Sequence, residues 1–380
     1  MHIVYLCSEY PPGRVGGVGI FTQTLGRAMA RRDHKVTVVG TYKALRHTQV
    51  DQDQGVTVIR LPHLPIRGVG ALVDAAQMRR VLSRLVTSQR GTVIEGQEGS
   101  FAFVGDGIVA SKLIRMHGGH TYFSTTLGKR PKRWRAWLER LSFRNADALA
   151  AVSRFTAETT RALLRLGNRP IEIIPNPIDT TLFTPQQDID EQEGLCVYAG
   201  TITEKKGVQQ LILAMQQVIR AIPHARLWLI GRDSKDRRGR LTIAALQALI
   251  DPGLRAHIVF MGHADHLALR NHMACAQVCV FPSHMETQGI VVGEAMALGK
   301  AVVTSRIGPI MEFVEDGLHG LLCDPHDPHS IAEAVIRILT DAALRRQIGV
   351  QARARVLEAL SIDVLADKNE AFYTRISGSI

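Results

Sequence analysis

Glu286 and Glu294, eight positions apart with Gly289 between them, are the side chains around which the chemistry of this chain gathers. They lie in the stretch from Phe281 to Ser305, FPSHMETQGIVVGEAMALGKAVVTS. It reads as the end of a buried strand, a loop carrying Glu286, a helix with Glu294 in its first turns, and a new strand at AVVTS. A helix start leaves backbone N–H groups without partners and points the positive end of its dipole outward, so it attracts phosphate. Carboxylates beside it suit the hydroxyl-rich groups that flank a diphosphate. The spacing asks for a nucleoside diphosphate joined to a sugar, held along Glu286, Thr287, Gln288, Gly289 and Ile290 and by Glu294. The plainer alternative is a βαβ unit with two solvated glutamates, and the flanking Pro282, Gly289 and Gly299 weigh against it.

With those flanking residues included, the stretch resembles the retaining glycosyltransferases of the GT-B fold, glycosyltransferase family 4. PSHMETQG followed by EAMALGKAVV is similar to that family's PSxxEGFG and EAMAxGxPVV, and Glu286 and Glu294 fall on its E-x7-E motif. Upstream, LCVYAGTITEKKGVQQLILAMQQV resembles GRLxxxKGxxxLxxA, which implies that Lys206 neutralises the donor diphosphate. A lysine at a helix start is unfavourable for the dipole, which itself suggests a reason for its presence. Thr201 departs from the family, where an arginine is common, and charge compensation is thin unless Lys205, Arg232 or Arg306 leans in. SRIGPIMEFVEDGLHGLLCDP is similar to GGxxEiVxxGxxGxLxxP with Pro309 for the second glycine; Glu312 either faces the donor or orients the next helix.

The elements that position these residues follow from the apolar periodicity. HIVYLCSEY is a strand, PPGRVGGVG a glycine-rich turn, IFTQTLGRAMARR a helix and HKVTVVG a second strand. Gly17-Val-Gly19-Ile-Phe-Thr22 lacks the third glycine of a dinucleotide fingerprint, and no acidic residue stands at the tip of the second strand. The turn is instead similar to the family's YPPxxGG opening, in which Gly16 and Gly17 let backbone approach donor phosphate or acceptor; an ordinary tight turn is the alternative. SKLIRMHGGH places His117 where a strand ends, the edge at which open α/β sheets take ligands. His117 is either a satisfied structural histidine or, as the resemblance implies, a contact to the transferred sugar. DALAAVSRFTAETTRALL is a strand and a helix capped at Ser153, and IEIIPNPIDTTLFTP is similar to VIPNGVDxxxF with Pro177 for glycine. The acidic QQDIDEQEG reads as a linker, giving an acceptor-binding domain over 1–185, a donor-binding domain over 186–360, and a last helix, 361–380, crossing back.

A chain of 380 residues is long enough for two domains. Five scattered cysteines fit a reducing compartment, and MHIVYLC is too short for a signal or a span, so the expected location is the cytoplasm, with the inner membrane face as a peripheral station. His263, His266, His272, Cys275 and Cys279 match no zinc spacing, and the pairs Asp51/Asp53 and Asp188/Asp190 lie in polar loops without flanking strands, so neither metal nor cofactor is expected. Net charge is +11 and lopsided: residues 1–185 hold 26 Lys and Arg against 13 Asp and Glu. An anionic partner surface is implied, and no nucleic-acid motif accompanies it. In GKRPKRWRAWLERLSFR, Trp134, Trp137, Leu138 and Leu141 fall on one helical stripe among Lys129, Arg130, Lys132, Arg133, Arg135 and Arg140. The stripe either buries against the sheet or meets a membrane.

The resulting expectation is a GT-B enzyme with two Rossmann-like doubly wound α/β domains facing across a cleft. It would move a hexose from a nucleoside-diphosphate sugar to the hydroxyl of a small molecule, glycan or glycolipid, without metal, and with retention as the resemblance implies. Glu286, His117 and Lys206 are the expected catalytic residues. The competing classes are a GT-B epimerase or phosphorylase and a non-catalytic sugar-nucleotide-binding protein.

Overall fold

The computed structural model describes residues 1–380 except 13–15, 44, 64–69, 87–90, 105–106, 234–241 and 379–380. Part of the glycine-rich turn, residues 13–15, thus lies outside the described residues, while Gly16 and Gly17 lie within them.

The chain divides into two compact units, Met1–Pro177 with Ile362–Ile380, and Ile178–Ser361. In the first, strands β1 (His2–Leu6), β2 (Lys35–Tyr42), β3 (Gln49–Asp53), β4 (Val56–Pro62), β5 (Thr92–Gly96), β6 (Ser111–Met116), β7 (Ala148–Ala151) and β8 (Glu172–Ile173) form one sheet in the order β3-β4-β2-β1-β5-β6-β7-β8. The antiparallel pair β3–β4 sits at one edge; the remaining pairs are parallel. Helices α1 (Gly17–Ala30), α2 (Gly70–Val86), α3 (His120–Thr126), α4 (Arg133–Arg144) and α5 (Arg154–Leu164) connect them. HIVYL is buried along its whole length and reads as an apolar run rather than an alternating one, while SKLIRM is equally buried although Lys112 and Arg115 interrupt its apolar residues.

The second unit holds a parallel sheet of β9 (Leu195–Ala199), β10 (Arg226–Ile230), β11 (Ile258–Gly262), β12 (Val278–Phe281), β13 (Ala301–Ser305) and β14 (Leu321–Cys323), in the order β11-β10-β9-β12-β13-β14. Its helices are α6 (Val208–Ala221), α7 (Thr242–Gln247), α8 (His266–Ala274), α9 (Ile290–Ala297), α10 (Gly308–Met311), α11 (Pro328–Thr340) and α12 (Ala342–Ala359). In both sheets the winding reverses once beside the first strand, between β1 and β5 in one and between β9 and β12 in the other. Crevices at the carboxyl ends of strands flanking such a reversal are where open α/β sheets bind ligands.

Helix α13 (Ile362–Ser377) belongs to the first unit. It is fastened by a buried network: Arg115 donates to Glu95 at 2.7 and 3.0 Å and to Asn369 Oδ1 at 2.6 Å, and the Tyr373 hydroxyl donates to Glu95 at 2.7 Å. The acidic stretch that reads as a linker is packed on the second unit instead. There Glu191 accepts from Lys300 at 2.8 Å and the Gly194 amide donates to Gln277 at 2.9 Å, so the units part earlier, at Pro177.

Candidate functional site

In the second unit the site grows out of the β9/β12 reversal. After β9 the chain forms a 3-10 turn, Glu204–Lys206, closed by Gly207 at φ 65°, and α6 begins immediately. A side chain at Gly207 would run into the Pro282 carbonyl that follows β12, so only glycine lets the two loops meet. The His284 amide donates to the Lys205 carbonyl at 3.0 Å across the same seam. The consequence is that Lys206 Nζ lies 2.5 Å from Glu286 Oε1. The Ser283 hydroxyl donates to the same carboxylate at 2.9 Å, and Ser305, at the end of β13, donates to the Ser283 carbonyl at 2.6 Å. Three strand ends therefore hold one carboxylate.

Gly289 is the residue before α9, at φ 90°, a left-handed conformation in which a Cβ would also press within 2.8 Å of Ile310. The cap residue itself, a glycine, brings no side chain to this helix start. Gln288 is buried beside it. Glu294 is buried in α9 with no hydrogen bond to its carboxyl among the described residues, and burial, reinforced by the charge of Asp179, raises its pKa to about 7. A buried carboxyl left without donors is an incomplete arrangement, and hydroxyl or amide donors from a ligand complete it.

The two family models that match divide the chain between them: Glycosyltransferase Family 4 over residues 15–182 and Glycosyl transferases group 1 over residues 193–341. The chain belongs to glycosyltransferase family 4. This glycosyltransferase is 28% identical to an uncharacterized glycosyltransferase of Methanocaldococcus jannaschii over 98% of both chains. It is 27% identical to a glycogen synthase of Mycobacterium tuberculosis over 98% of this chain and 94% of the other. Among solved structures, a sucrose-phosphate synthase from Thermosynechococcus elongatus superposes with TM-score 0.82 at 23% identity over the whole of both chains. Anabaena HepE in complex with UDP and glucose superposes with TM-score 0.79 at 17% identity, over 99% and 100%. These likenesses make the fold GT-B.

The structure of the glycosyltransferase brings Lys206, Glu286, Ser283 and the loop to Gly289 together, and sets Thr201 at the exposed end of β9, where its carbonyl accepts from Tyr198 at 3.1 Å. Of the cations expected to lean in, Arg306 is committed elsewhere, to Asp316 at 2.6 Å and the Leu322 carbonyl at 3.1 Å. Arg232 lies 3.2 Å from His263 Nε2. Glu312 follows α10 and is exposed. Thr287 and Ile290 are half-buried on either side of Gln288 and Gly289. A cavity of about 280 Å³ lined by Thr203, Glu204, Val208, Gln209, Ala245, Leu246 and Leu249 includes none of Lys206, Glu286 or Glu294, so cavity size alone does not mark this edge.

In the first unit, Gly16 precedes α1, and a side chain there would collide with the Glu9 carboxylate. Gly17 opens the helix. His117 follows β6, half-buried, its ring 4.8 Å from that of Phe21 and with no hydrogen bond to the ring nitrogens among the described residues, while its backbone amide serves Glu98. Burial and the Arg115 charge lower its pKa to about 3, so it is neutral at physiological pH. Beside it the buried Glu98 accepts from the Gly118 amide at 2.6 Å, with its pKa raised to about 7, mainly by burial and also by Glu139. Sequence reading missed Glu98, Ser283 and Ser305; Glu98 and Ser305 at least sit where an apolar strand gives out.

Two placements differ from expectation. Asp51 and Asp53 belong to strand β3 rather than a loop, where Asp53 holds Arg27 at 2.6 Å and accepts from Tyr10 at 2.7 Å, and Asp51 pairs with Arg60. The Trp stripe of α4 is not buried against the sheet: the helix turns Ala136, Glu139, Ser142 and Phe143 inward. Cys279 is buried in β12, and among the described residues no three His, Cys, Asp or Glu side chains converge.

Proposed function

We propose that the chain is a retaining, metal-independent hexosyltransferase. It takes the sugar from a nucleoside diphosphate and transfers it to the hydroxyl of a small molecule, glycan or glycolipid, in the cytoplasm. The observation that carries this reading is the Lys206–Glu286 pair at the β9/β12 reversal, next to the glycine-led start of α9 and the donor-less carboxyl of Glu294. Lys206 and the first amides of α9 would take the negative charge that develops on the leaving diphosphate, a role that needs preorganised donors and no cofactor. Glu294 would accept from the ribose hydroxyls. Glu286 would hold and polarise the sugar rather than attack it. Arg232 and Thr201 would complete the donor contacts of the second unit. The complex of HepE with UDP and glucose, and the glycogen and sucrose-phosphate synthases among the similar proteins, support a nucleotide-sugar donor.

The reading is tested by incubating the protein with a panel of nucleoside-diphosphate hexoses and candidate acceptors and resolving the products by NMR. Expected is a new glycoside with the donor's anomeric configuration, formed as fast after EDTA treatment as before. An epimerised sugar nucleotide, a sugar phosphate, or donor binding with no product would assign the protein to one of the competing classes instead.

A further inference from the structure

We propose that the outward face of α4, together with the turn before it, docks on an anionic phospholipid bilayer. The inference does not rest on the donor reading. Trp134 and Trp137 are each 57% exposed, an unusual state for the two largest apolar side chains of one helix. Leu138 and Leu141 continue their stripe half-buried. Around them stand Lys129, Arg130, Lys132, Arg133, Arg135 and Arg140, all exposed, none with an ion pair among the described residues. Between residues 107 and 146 the only acidic side chain is Glu139. It is turned inward, where it caps the start of α3 by accepting from the Thr121 amide at 3.1 Å and from the His120 amide. The exposed face of α4 therefore carries cations and indoles and nothing to neutralise them.

The fold gives no internal reason for this arrangement. Lys132 and Arg133 sit at the helix N-terminus, where positive charge opposes the dipole, so the cluster is mildly destabilising unless something anionic meets it. Indole rings and basic side chains on one face of a short helix are what the headgroup boundary accommodates: rings at the acyl border, ammonium and guanidinium groups among phosphates. A single-stranded nucleic acid fits less well. Its bases need open aromatic faces, and the Arg135 guanidinium already lies 5.1 Å over the Trp134 ring, while Leu138 and Leu141 offer no stacking surface.

The test uses the full chain with vesicles of phosphatidylcholine alone or with one third phosphatidylglycerol, read by co-sedimentation and tryptophan emission. Expected is binding to the anionic vesicles only, weakened by salt, with emission shifted to shorter wavelength. Lys132→Glu, Arg133→Glu and Arg135→Glu together should weaken binding at least tenfold. These changes favour the helix dipole, so the melting curve should be kept. Trp134→Ala with Trp137→Ala should abolish the shift, with Trp228 left as an internal control. No binding at low salt, binding unchanged by the charge reversal, or binding with no emission shift would overturn the proposal. So would retention on an oligonucleotide without retention on vesicles.

Discussion

At the scale of single residues the site is governed by two carboxyls in opposite conditions. Glu286 is held by an ammonium and a hydroxyl, while Glu294 is buried without donors and its pKa stands at about 7 instead of 4.5. The sign follows directly. Below pH 4.5 Glu294 is protonated in both the folded and unfolded chain and affects nothing; as pH rises toward 7 the unfolded chain ionises first, so the unliganded fold loses about 3 kcal/mol from this group. Hydroxyl donors from a ribose favour the carboxylate, so binding of a nucleotide sugar, whose esterified diphosphate does not titrate there, should tighten between pH 5.5 and 8. Glu294→Gln should flatten that dependence in a calorimetric pH series; a flat wild-type profile would remove the carboxyl from the contact. Lys206→Ala should lower turnover by a factor on the order of 10²–10³, comparable to losing one preorganised donor to a developing anion. Wild-type turnover in the folded variant would end that assignment. Glu286, Gly289 and Glu294 were legible because they stand at fixed offsets within one strand-loop-helix stretch, and Lys206 because its own strand-loop-helix stretch resembles the family's GRLxxxKGxxxLxxA. Ser283 and Ser305 were not, because their joint grip on Glu286 depends on β12 lying beside β13, a fact of sheet order rather than of local pattern.

At the scale of elements the strands and most helices follow their apolar period, since buried parallel strands leave an unmistakable run of Val, Ile and Leu. What periodicity does not reveal is which helix face turns inward. The period of α4 left its Trp stripe open between core and surface, and the first unit turned Ala136, Ser142 and Phe143 inward instead and satisfied Glu139 with the amides of α3. The returning helix α13 is a second case: its register is set by Asn369 and Tyr373 reaching the buried Glu95–Arg115 pair. Removing one partner of that pair strands the other, so Glu95→Ala should cost about 3–5 kcal/mol in denaturant unfolding. A loss below 1 kcal/mol would show that α13 is held by its other contacts, such as Arg32 with Glu370, and not by this pair.

At the scale of the whole molecule the charge is divided as the chemistry is. Residues 1–185 carry the excess of cations and the exposed basic face, and the second unit carries the Lys206–Glu286 pair, whose charges cancel. On the proposed reading, compensation of a diphosphate would depend on few groups, since Arg306 is tied to Asp316 and Thr201 has no charge to give. The parting of the units was not legible in the acidic stretch 186–194, because a composition typical of linkers is equally typical of a segment that pairs with Lys300 and Arg345. The central claim is that the β9/β12 edge binds a nucleotide sugar through Glu294, and isothermal titration of Glu294→Ala with the donor nucleotide sugar tests it most directly. A loss of roughly 1–3 kcal/mol, about a tenfold to hundredfold weaker affinity, is predicted. Wild-type affinity in a variant that keeps the native melting transition would contradict it.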